Sequence, residues 1–169
     1  MSLDDLYGPG TAAEFSARVD LTAVFPGSKA AITEQDSLHG FVAVEVVWTD
    51  ARGERIGNYK LEYHREVVAC SWLGIEPAYR RRGLNTHLIR SLEPWWPTLG
   101  LKAHTMLARQ GTAGEQALRA VGYTELPDGS FGTPLPAPRP REFLDWVAAG
   151  ALPADEPAWR RAPEPDMFE

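Results

Sequence analysis

Three consecutive arginines and a glycine form the stretch of this chain best suited to bind an anion. Arg80, Arg81 and Arg82 precede Gly83, and an amphipathic segment follows directly. Glycine has no side chain, so a ligand can approach the backbone closely at such a turn. The first N–H groups of a helix lack internal partners, and the helix dipole adds positive character there. The spacing therefore predicts a cradle for a phosphate or a diphosphate at a helix start.

The segments on both sides of the arginines predict the elements that would position this cradle. Residues 67–75 are almost all apolar, which is typical of a central, buried strand. After the turn, Leu84, Leu88 and Leu92 recur as on one face of a helix, which Pro94 ends. The order of strand, basic turn and helix places the anion site at the carboxyl end of the strand.

The pattern Arg80-x-x-Gly83-x-Asn85 resembles motif A of the GNAT N-acetyltransferase superfamily, which reads Gln/Arg-x-x-Gly-x-Gly/Ala after an apolar-x-Pro signal. Asn85 is a departure, because the family has glycine or alanine there. The resemblance continues through residues 120–123 (AVGY), which look like the segment that closes the family's last conserved helix. It extends over residues 40–126.

The resemblance implies an acyltransferase with acetyl-coenzyme A as the acyl donor and an amine as the acceptor. The turn and the helix start would bind the diphosphate of the coenzyme, and the strand end would pair with the pantetheine amides. A backbone N–H near Ile75 would hold the thioester oxygen. The coenzyme-binding residues so implied are Leu73, Gly74, Ile75, Arg80, Arg81, Arg82, Gly83, Leu84, Asn85 and Thr86.

Attack of an amine on a thioester needs a base for the ammonium and often an acid for the leaving thiolate. Glu76 is the first candidate base, because it directly follows the predicted coenzyme-binding strand. His64 is a second, with an ordinary pKa suited to the task, and Glu45 and Glu62 complete the set. A solvated carboxylate or a surface histidine is the competing interpretation. Many members of the resembled family use a tyrosine as the acid, and Leu118 stands at that position here.

Other reactive or aromatic side chains are interpreted as core. Tyr123 stands where the resembled family has a packing aromatic. Cys70 is the only cysteine and lies in the most apolar run, where burial would raise its thiol pKa. Trp95 and Trp96 are expected to pack on the sheet, unless one of them lines an acceptor pocket. With one cysteine and four scattered histidines, no metal site is expected.

The bulk properties bound the class of protein. The chain has 169 residues, 44% of them hydrophobic, and a net charge of −6. This acidity argues against a nucleic-acid-wrapping protein and is compatible with a cationic acceptor. Two alternatives stay open: a nucleic-acid contact through residues 80–82 with Arg90, and a coenzyme-binding or interaction module without turnover. No signal peptide or membrane-spanning run is visible, so a cytoplasmic location is the default expectation.

The element pattern predicts an α+β fold, with a central, mostly antiparallel twisted sheet flanked by helices. The expected strands are residues 18–25, 29–33, 41–48, 55–64, 67–75, 101–107, 123–126 and 131–135, and the expected helices are residues 11–17, 83–93 and 112–121. The N-terminus is expected to be atypical, because residues 26–40 carry little pattern for the two helices that follow the resembled family's first strand.

A shift in composition divides the chain. Residues 1–135 are predicted to form the acyl-coenzyme A-binding domain. Residues 136–169 are rich in proline and form an extension with a short amphipathic helix at residues 141–149. The extension is expected to dock on the domain or on a second copy in a homodimer, or to be partly disordered.

Overall fold

A mixed sheet runs through the centre of the structure and sets the position of the helices. The computed structural model describes residues 1–36, 41–106, 115–116, 119, 123–127 and 129–135. In chain order the described strands are β1 (Lys29–Asp36), β2 (Val42–Thr49), β3 (Arg55–Tyr63), β4 (Val67–Ile75), β5 (Ala103–Met106), β6 (Thr124–Glu125) and β7 (Phe131–Pro134). Their order across the seven-stranded sheet is β1-β2-β3-β4-β5-β7-β6.

The pairing of β4 with β5 differs from the rest of the sheet. All other neighbouring strands run antiparallel, whereas β4 and β5 run parallel. They pair only from Val67 opposite Ala103 to Cys70 opposite Met106. Beyond Cys70, β4 continues alongside β3, and its other side has no strand partner among the described residues. The second half of β4 is therefore a free edge within the described part of the chain.

A β-bulge marks the point where β4 leaves β5. Lys60 on β3 lies opposite Trp72, and Leu61 lies opposite Cys70, so Ser71 is the extra residue on β4. A bulge of this kind bends the strand and re-aims its side chains. It places Ser71 and Trp72 on the same sheet face.

The α-helices whose full bounds the structure describes pack on the other face of the sheet. They are α1 (Leu3–Tyr7), α2 (Thr11–Arg18) and α3 (Leu84–Leu92), and short 3-10 helices cover Pro77–Tyr79 and Trp96–Leu99. The Trp48 indole donates a hydrogen bond to the Val19 carbonyl at 2.9 Å, which ties β2 to the end of α2. Arg18 in turn donates to the Ser91 carbonyl at 2.7 Å, which ties α2 to α3.

The two sheet faces differ in chemistry. On the helical face, Val44, Val46 and Trp48 of β2 are buried in the core, together with the apolar side of α3. We call the opposite side the polar face, defined by the side chains of Glu45, Asn58, Lys60, Glu62, Ser71 and Trp72. This division follows the alternation of side chains along each strand.

The predicted fold class is confirmed: the chain is a mixed α+β protein with a mostly antiparallel sheet and flanking helices. The strand predicted at residues 18–25 is wrong. Helix α2 extends to Arg18, and turns follow, in which Val24 and Phe25 both donate backbone hydrogen bonds to the Leu21 carbonyl. The alternating apolar residues bury Val19, Leu21 and Phe25 in the core without a ladder partner.

The two N-terminal helices precede β1. The short strand predicted from Lys29 to Thr33 is confirmed and extends to Asp36. Helix α1 begins with a reciprocal capping box between Ser2 and Asp5, a signal that the sequence analysis missed. The described helices α1 and α2 thus stand before the first described strand.

Several predictions concern residues that lie outside the described part of the chain. Glu115, Gln116 and Arg119 are helical, in agreement with the helix predicted at residues 112–121. Leu118, the extension from residue 136 onward and its helix at residues 141–149 lie outside the described residues. The described helices include none that is long and apolar enough to cross a membrane.

Candidate active site

The turn that joins β4 to α3 has backbone φ angles that alternate in sign. Arg80 has a φ of −70°, Arg81 of +62° and Gly83 of +80°, whereas Arg82 is not among the residues with positive φ. Backbone N–H groups that are exposed in a turn of this kind can form a concave anion-binding nest, and we use this name for the turn from Arg80 to Gly83. The positive φ of Arg81, a non-glycine residue, was not apparent from the sequence.

The start of α3 adds further donors to this turn. No side chain caps the helix, and its first internal bond runs from the His87 N–H to the Gly83 carbonyl at 2.9 Å. The N–H groups of Leu84, Asn85 and Thr86 have no acceptor among the described residues. A Cβ atom added to Gly83 would meet nothing within 4 Å. The turn thus has open space beside Gly83, next to backbone donors that lack a described acceptor, as an anion site requires.

The three arginines occupy different environments. Arg80 is half-buried, and its Nε donates a hydrogen bond to the Ile75 carbonyl at 2.9 Å. It therefore ties the turn back to the end of β4. Arg81 and Arg82 are exposed, so their charges face solvent beside the nest. The first arginine shapes the turn, and the other two contribute positive potential.

Tyr79 connects the turn to residues outside β4 and α3. Its ring meets Phe25 edge to face with 5.4 Å between centroids, and its hydroxyl donates to Asp50 Oδ2 at 2.5 Å. This hydrogen bond holds the pKa of the Asp50 carboxyl below its ordinary value. The Arg82 guanidinium carbon lies 5.8 Å from the Tyr79 ring centroid. The turn is thus fixed to the β2–β3 connection as well as to β4.

The predicted pantetheine-pairing residues can offer only backbone atoms. Leu73 and Ile75 are buried in the core on the helical face. Gly74 lies under the indole of Trp72, since a Cβ atom there would come within 2.6 Å of the Trp72 Nε1 atom. A ligand along this edge would therefore contact main-chain N–H and carbonyl groups.

Glu76 lies close to the turn but faces a different strand. Its N–H donates to the Ile56 carbonyl at 2.8 Å, and its exposed carboxylate lies 3.8 Å from the Arg55 Nε. Both contacts are with β3. The role of Glu76 as a base stays a prediction.

His64 lies at the opposite end of the sheet from the turn. Gly57 of β3 pairs with Ile75, whereas Tyr63, which precedes His64, pairs with Val68, so the two ends are about 20 to 25 Å apart. The His64 ring lies 4.7 Å from that of Phe41, and burial lowers its pKa to about 4. The structure therefore does not bring His64 and Glu76 together.

A cleft of about 180 Å³ lies on the polar face between these two ends. Its lining residues come from β1 to β4 and are Thr33, Gln35, Ala43, Val44, Glu45, Lys60, Leu61, Glu62 and Ser71. The other two base candidates, Glu45 and Glu62, therefore line the same cleft. Glu45 accepts a hydrogen bond from the Asn58 amide at 3.3 Å, and Asn58 accepts one from the Trp72 indole at 2.8 Å.

A buried polar cluster on the helical face was not found from the sequence. The Tyr123 hydroxyl donates to Glu93 Oε1 at 2.6 Å and contacts the Nδ1 atom of His104. Burial lowers the pKa of His104 to about 3 and raises the pKa of both Glu93 and Tyr123. The His104 ring also lies 4.4 Å from that of Trp96. The sequence feature that could have indicated this cluster is a histidine within the apolar segment that forms β5.

Other core interpretations agree with the structure. Tyr123, Trp95 and Trp96 are buried, as is Cys70, whose thiol pKa burial raises. Among the described residues no group of histidine, cysteine or carboxylate side chains could hold a metal ion.

Tyr123→Phe is expected to lower the free energy of unfolding by about 1–3 kcal/mol, because a buried acceptor on Glu93 loses its donor. Turnover by the folded protein should not change. Urea unfolding and thiol-release assays measure the two quantities. The matched control is Tyr59→Phe, because Tyr59 is also buried but is not hydrogen-bonded to Glu93 or His104. A loss of turnover at unchanged stability would place Tyr123 in the chemistry.

Comparisons with known proteins give structural likenesses only. Neither a protein-family model nor a curated protein sequence matches the chain. The chain is similar in structure to nourseothricin acetyltransferase, with a TM-score of 0.45, 15% identity and coverage of 76% of this chain and 95% of that chain. It is also similar in structure to an acetyltransferase from Bacillus cereus ATCC 14579, with a TM-score of 0.44 and 12% identity. That match covers 80% of this chain and 94% of the other chain. A third similar structure is a cAMP-binding acyltransferase from Mycobacterium smegmatis, with a TM-score of 0.44 and 13% identity. That match covers 82% of this chain and 58% of the other chain.

Proposed function

We propose that this chain is an acyltransferase that binds acetyl-coenzyme A at the β4–α3 turn and transfers the acyl group to an amine. The observation that carries the proposal is the positive φ of both Arg81 and Gly83. This turn leads directly into the start of α3, which no side chain caps. The oxygens of a diphosphate can accept hydrogen bonds from several converging N–H groups at once. The exposed charges of Arg81 and Arg82 favour the same ligand.

The free edge of β4 supports the same donor. An extended pantetheine arm carries amide groups that can pair with a strand edge, as an added strand does. The edge runs from Ile75 back to Ser71, about 13 Å. A coenzyme anchored at the turn would therefore present its thioester toward the bulge. Backbone N–H groups of this part of β4 are the proposed donors to the thioester oxygen.

The reaction joins the amine nitrogen to the carbonyl carbon and breaks the bond from that carbon to sulfur. A base takes the proton from the acceptor ammonium, and the thiolate of coenzyme A leaves and is protonated. Most of the rate enhancement in such a reaction comes from positioning the two substrates and stabilising the developing oxyanion. The nest, the strand edge and the helix start are the parts of this chain that would supply that positioning.

Thermal unfolding with and without acetyl-coenzyme A tests the donor. Saturation at about 100 times the dissociation constant adds about 2.7 kcal/mol of stability, which corresponds to roughly 5–10 °C for a domain of this size. The absence of any shift at millimolar concentration would contradict the proposal. Release of free thiol with a panel of amines then measures turnover.

The second candidate function is a coenzyme-binding module without turnover, which the leucine at the position of the usual acid favours. The same two assays separate the candidates. A thermal shift without thiol release on any amine would favour the module, and release with one amine class would favour the enzyme. Strong, salt-dependent retention on DNA would instead point to a nucleic-acid contact through the exposed arginines.

A further inference from the structure

We propose that the cleft on the polar face binds the acceptor as a protonated primary amine on an alkyl chain, with Glu45 as its anchor and Glu62 as its base. This inference rests on the proposed acyl transfer, because it takes the acceptor to meet the donor at Ser71. Ser71 is the bulge residue at the end of the free edge of β4, and it also lines the cleft. The proposed donor and acceptor paths therefore meet at one residue.

Two carboxylates face this cleft from neighbouring strands. Glu45 pairs with Lys60 and Glu62 pairs with Ala43 in the β2–β3 ladder. Glu45 and Glu62 are thus diagonal neighbours on one face, where the two residues are typically about 7–8 Å apart. Lys60 is exposed and is the one cation in the described lining. The charges in the described lining sum to a net negative value, which favours a cationic ligand.

Glu45 is held in place by a hydrogen-bonded relay that begins on β4. Asn58 is 6% exposed; its oxygen accepts from the Trp72 indole and its nitrogen donates to Glu45 Oε1. The indole fixes which end of the amide faces Glu45. One carboxylate oxygen is thereby engaged, and the other can accept from an ammonium group. Trp72 also covers Gly74, so the relay connects the acceptor anchor to the proposed donor edge.

Glu62 is suited to receive the proton. It is 5% exposed, on the strand next to β4, and pairs there with Ala69, close to the bulge. A carboxylate with so little water around it interacts strongly with a cation that enters its cleft. Deprotonation of the ammonium by Glu62 would leave a neutral amine near the thioester carbon.

The size of the cleft limits the acceptor. The volume of about 180 Å³ is below the roughly 300 Å³ at which drug-sized pockets begin. An amine head with a short alkyl chain fits this space. Both a free alkylamine and the tip of a lysine side chain have this chemistry.

Steady-state thiol release by the full-length protein tests the proposal with two probes, n-butylamine and Nα-acetyl-lysine methylamide. Glu62→Gln should lower kcat by about 100-fold or more, with partial rescue in Glu62→Asp. Glu45→Gln should raise KM for the amine by about 10- to 100-fold and largely preserve kcat. The control is Glu34→Gln, since Glu34 pairs with Val44 and lies on the helical face of β1. Turnover on the first probe identifies free amines as a source, and turnover on the second alone identifies lysine side chains.

Failure of this inference can be told apart from failure of the proposed function. Unchanged kcat and KM in both variants, with the acetyl-coenzyme A thermal shift retained, would overturn the cleft assignment and leave the donor site standing. Absence of the thermal shift in the wild-type protein would overturn the proposed function. If Glu62→Gln does not fold, titration of the ¹⁵N-labelled wild-type chain with n-butylamine replaces it. Chemical-shift changes confined to β1–β4 around the cleft would support the assignment, and changes elsewhere or none would overturn it.

Discussion

Gly83→Val is expected to weaken acetyl-coenzyme A binding by about 100-fold or more, while the protein still folds. Gly83 has a φ of +80°, a region that β-branched residues avoid. A valine there would either be strained or shift the turn, and its side chain would occupy the open space above the nest. Loss of two charge-assisted hydrogen bonds, at about 1.5–3 kcal/mol each, corresponds to a factor of this size or larger.

A matched control separates the cradle from backbone strain. Gly100 has a φ of +86°, and a Cβ atom there would also meet nothing within 4 Å. It precedes β5, near the end of the β4–β5 pair that lies farthest from the turn. Gly100→Val should lose a similar amount of stability, about 1–3 kcal/mol, and bind the coenzyme normally. Calorimetric titration measures both affinities, and equal affinities for the two variants would contradict the cradle.

Acidification from pH 7 to pH 5 is expected to lower the free energy of unfolding by about 3 kcal/mol. Burial lowers the pKa of His64 to about 4 and that of His104 to about 3, against an ordinary value near 6.5. The unfolded chain therefore binds protons that the folded chain excludes. The stability that the neutral histidines contribute is fully present above about pH 6.5 and is lost as the pH falls toward 4, at up to about 1.4 kcal/mol per pH unit each.

Glu93 acts in the opposite direction. Burial raises the pKa of its carboxyl, so the folded chain binds a proton there more readily than the unfolded chain does. This opposes the effect of the two histidines as the pH falls.

Urea unfolding between pH 7 and pH 5 measures this dependence. His64→Phe keeps a ring beside Phe41 and should remove about half of the slope. His87→Gln is the control, because the ring of His87 lies at the surface of α3, 3.2 Å from the Asp20 carbonyl. His64→Phe should remove more of the slope than this variant does. A stability that does not change over this pH range would show that the two histidines are not held neutral by burial.

Local sequence patterns predicted the elements around the proposed donor site. The uninterrupted apolar run of β4 is typical of a buried strand, and the leucine spacing of α3 is typical of a helix. The predicted bounds of both elements therefore agree with the structure to within a few residues. The alternation of apolar and polar residues along residues 18–25 led to the wrong prediction of a strand. The same alternation also occurs here in consecutive turns, whose apolar side chains are buried in the core. A pattern of period two is compatible with either outcome until the ladder partner is known.

Features that depend on distant residues could not be predicted from the sequence. The positive φ of Arg81 arises in a turn that Tyr79 ties to Asp50 and that Arg80 ties to Ile75. The contacts among Glu93, His104 and Tyr123 join the end of α3, β5 and the entry to β6. Likewise, the cleft on the polar face is lined not only by the β2–β3 hairpin but also by β1 and by the bulge residue of β4.

Calorimetric titration of the full chain with acetyl-coenzyme A and with S-acetylpantetheine tests the central claim most directly. S-acetylpantetheine has the thioester and the pantetheine amides but lacks the whole nucleotide part of the coenzyme, which includes the diphosphate that is the proposed ligand of the nest and the start of α3. The account predicts one acetyl-coenzyme A site per chain and an affinity for S-acetylpantetheine lower by about 100-fold or more. Equal affinities for the two compounds, or no binding of acetyl-coenzyme A at millimolar concentration, would contradict it.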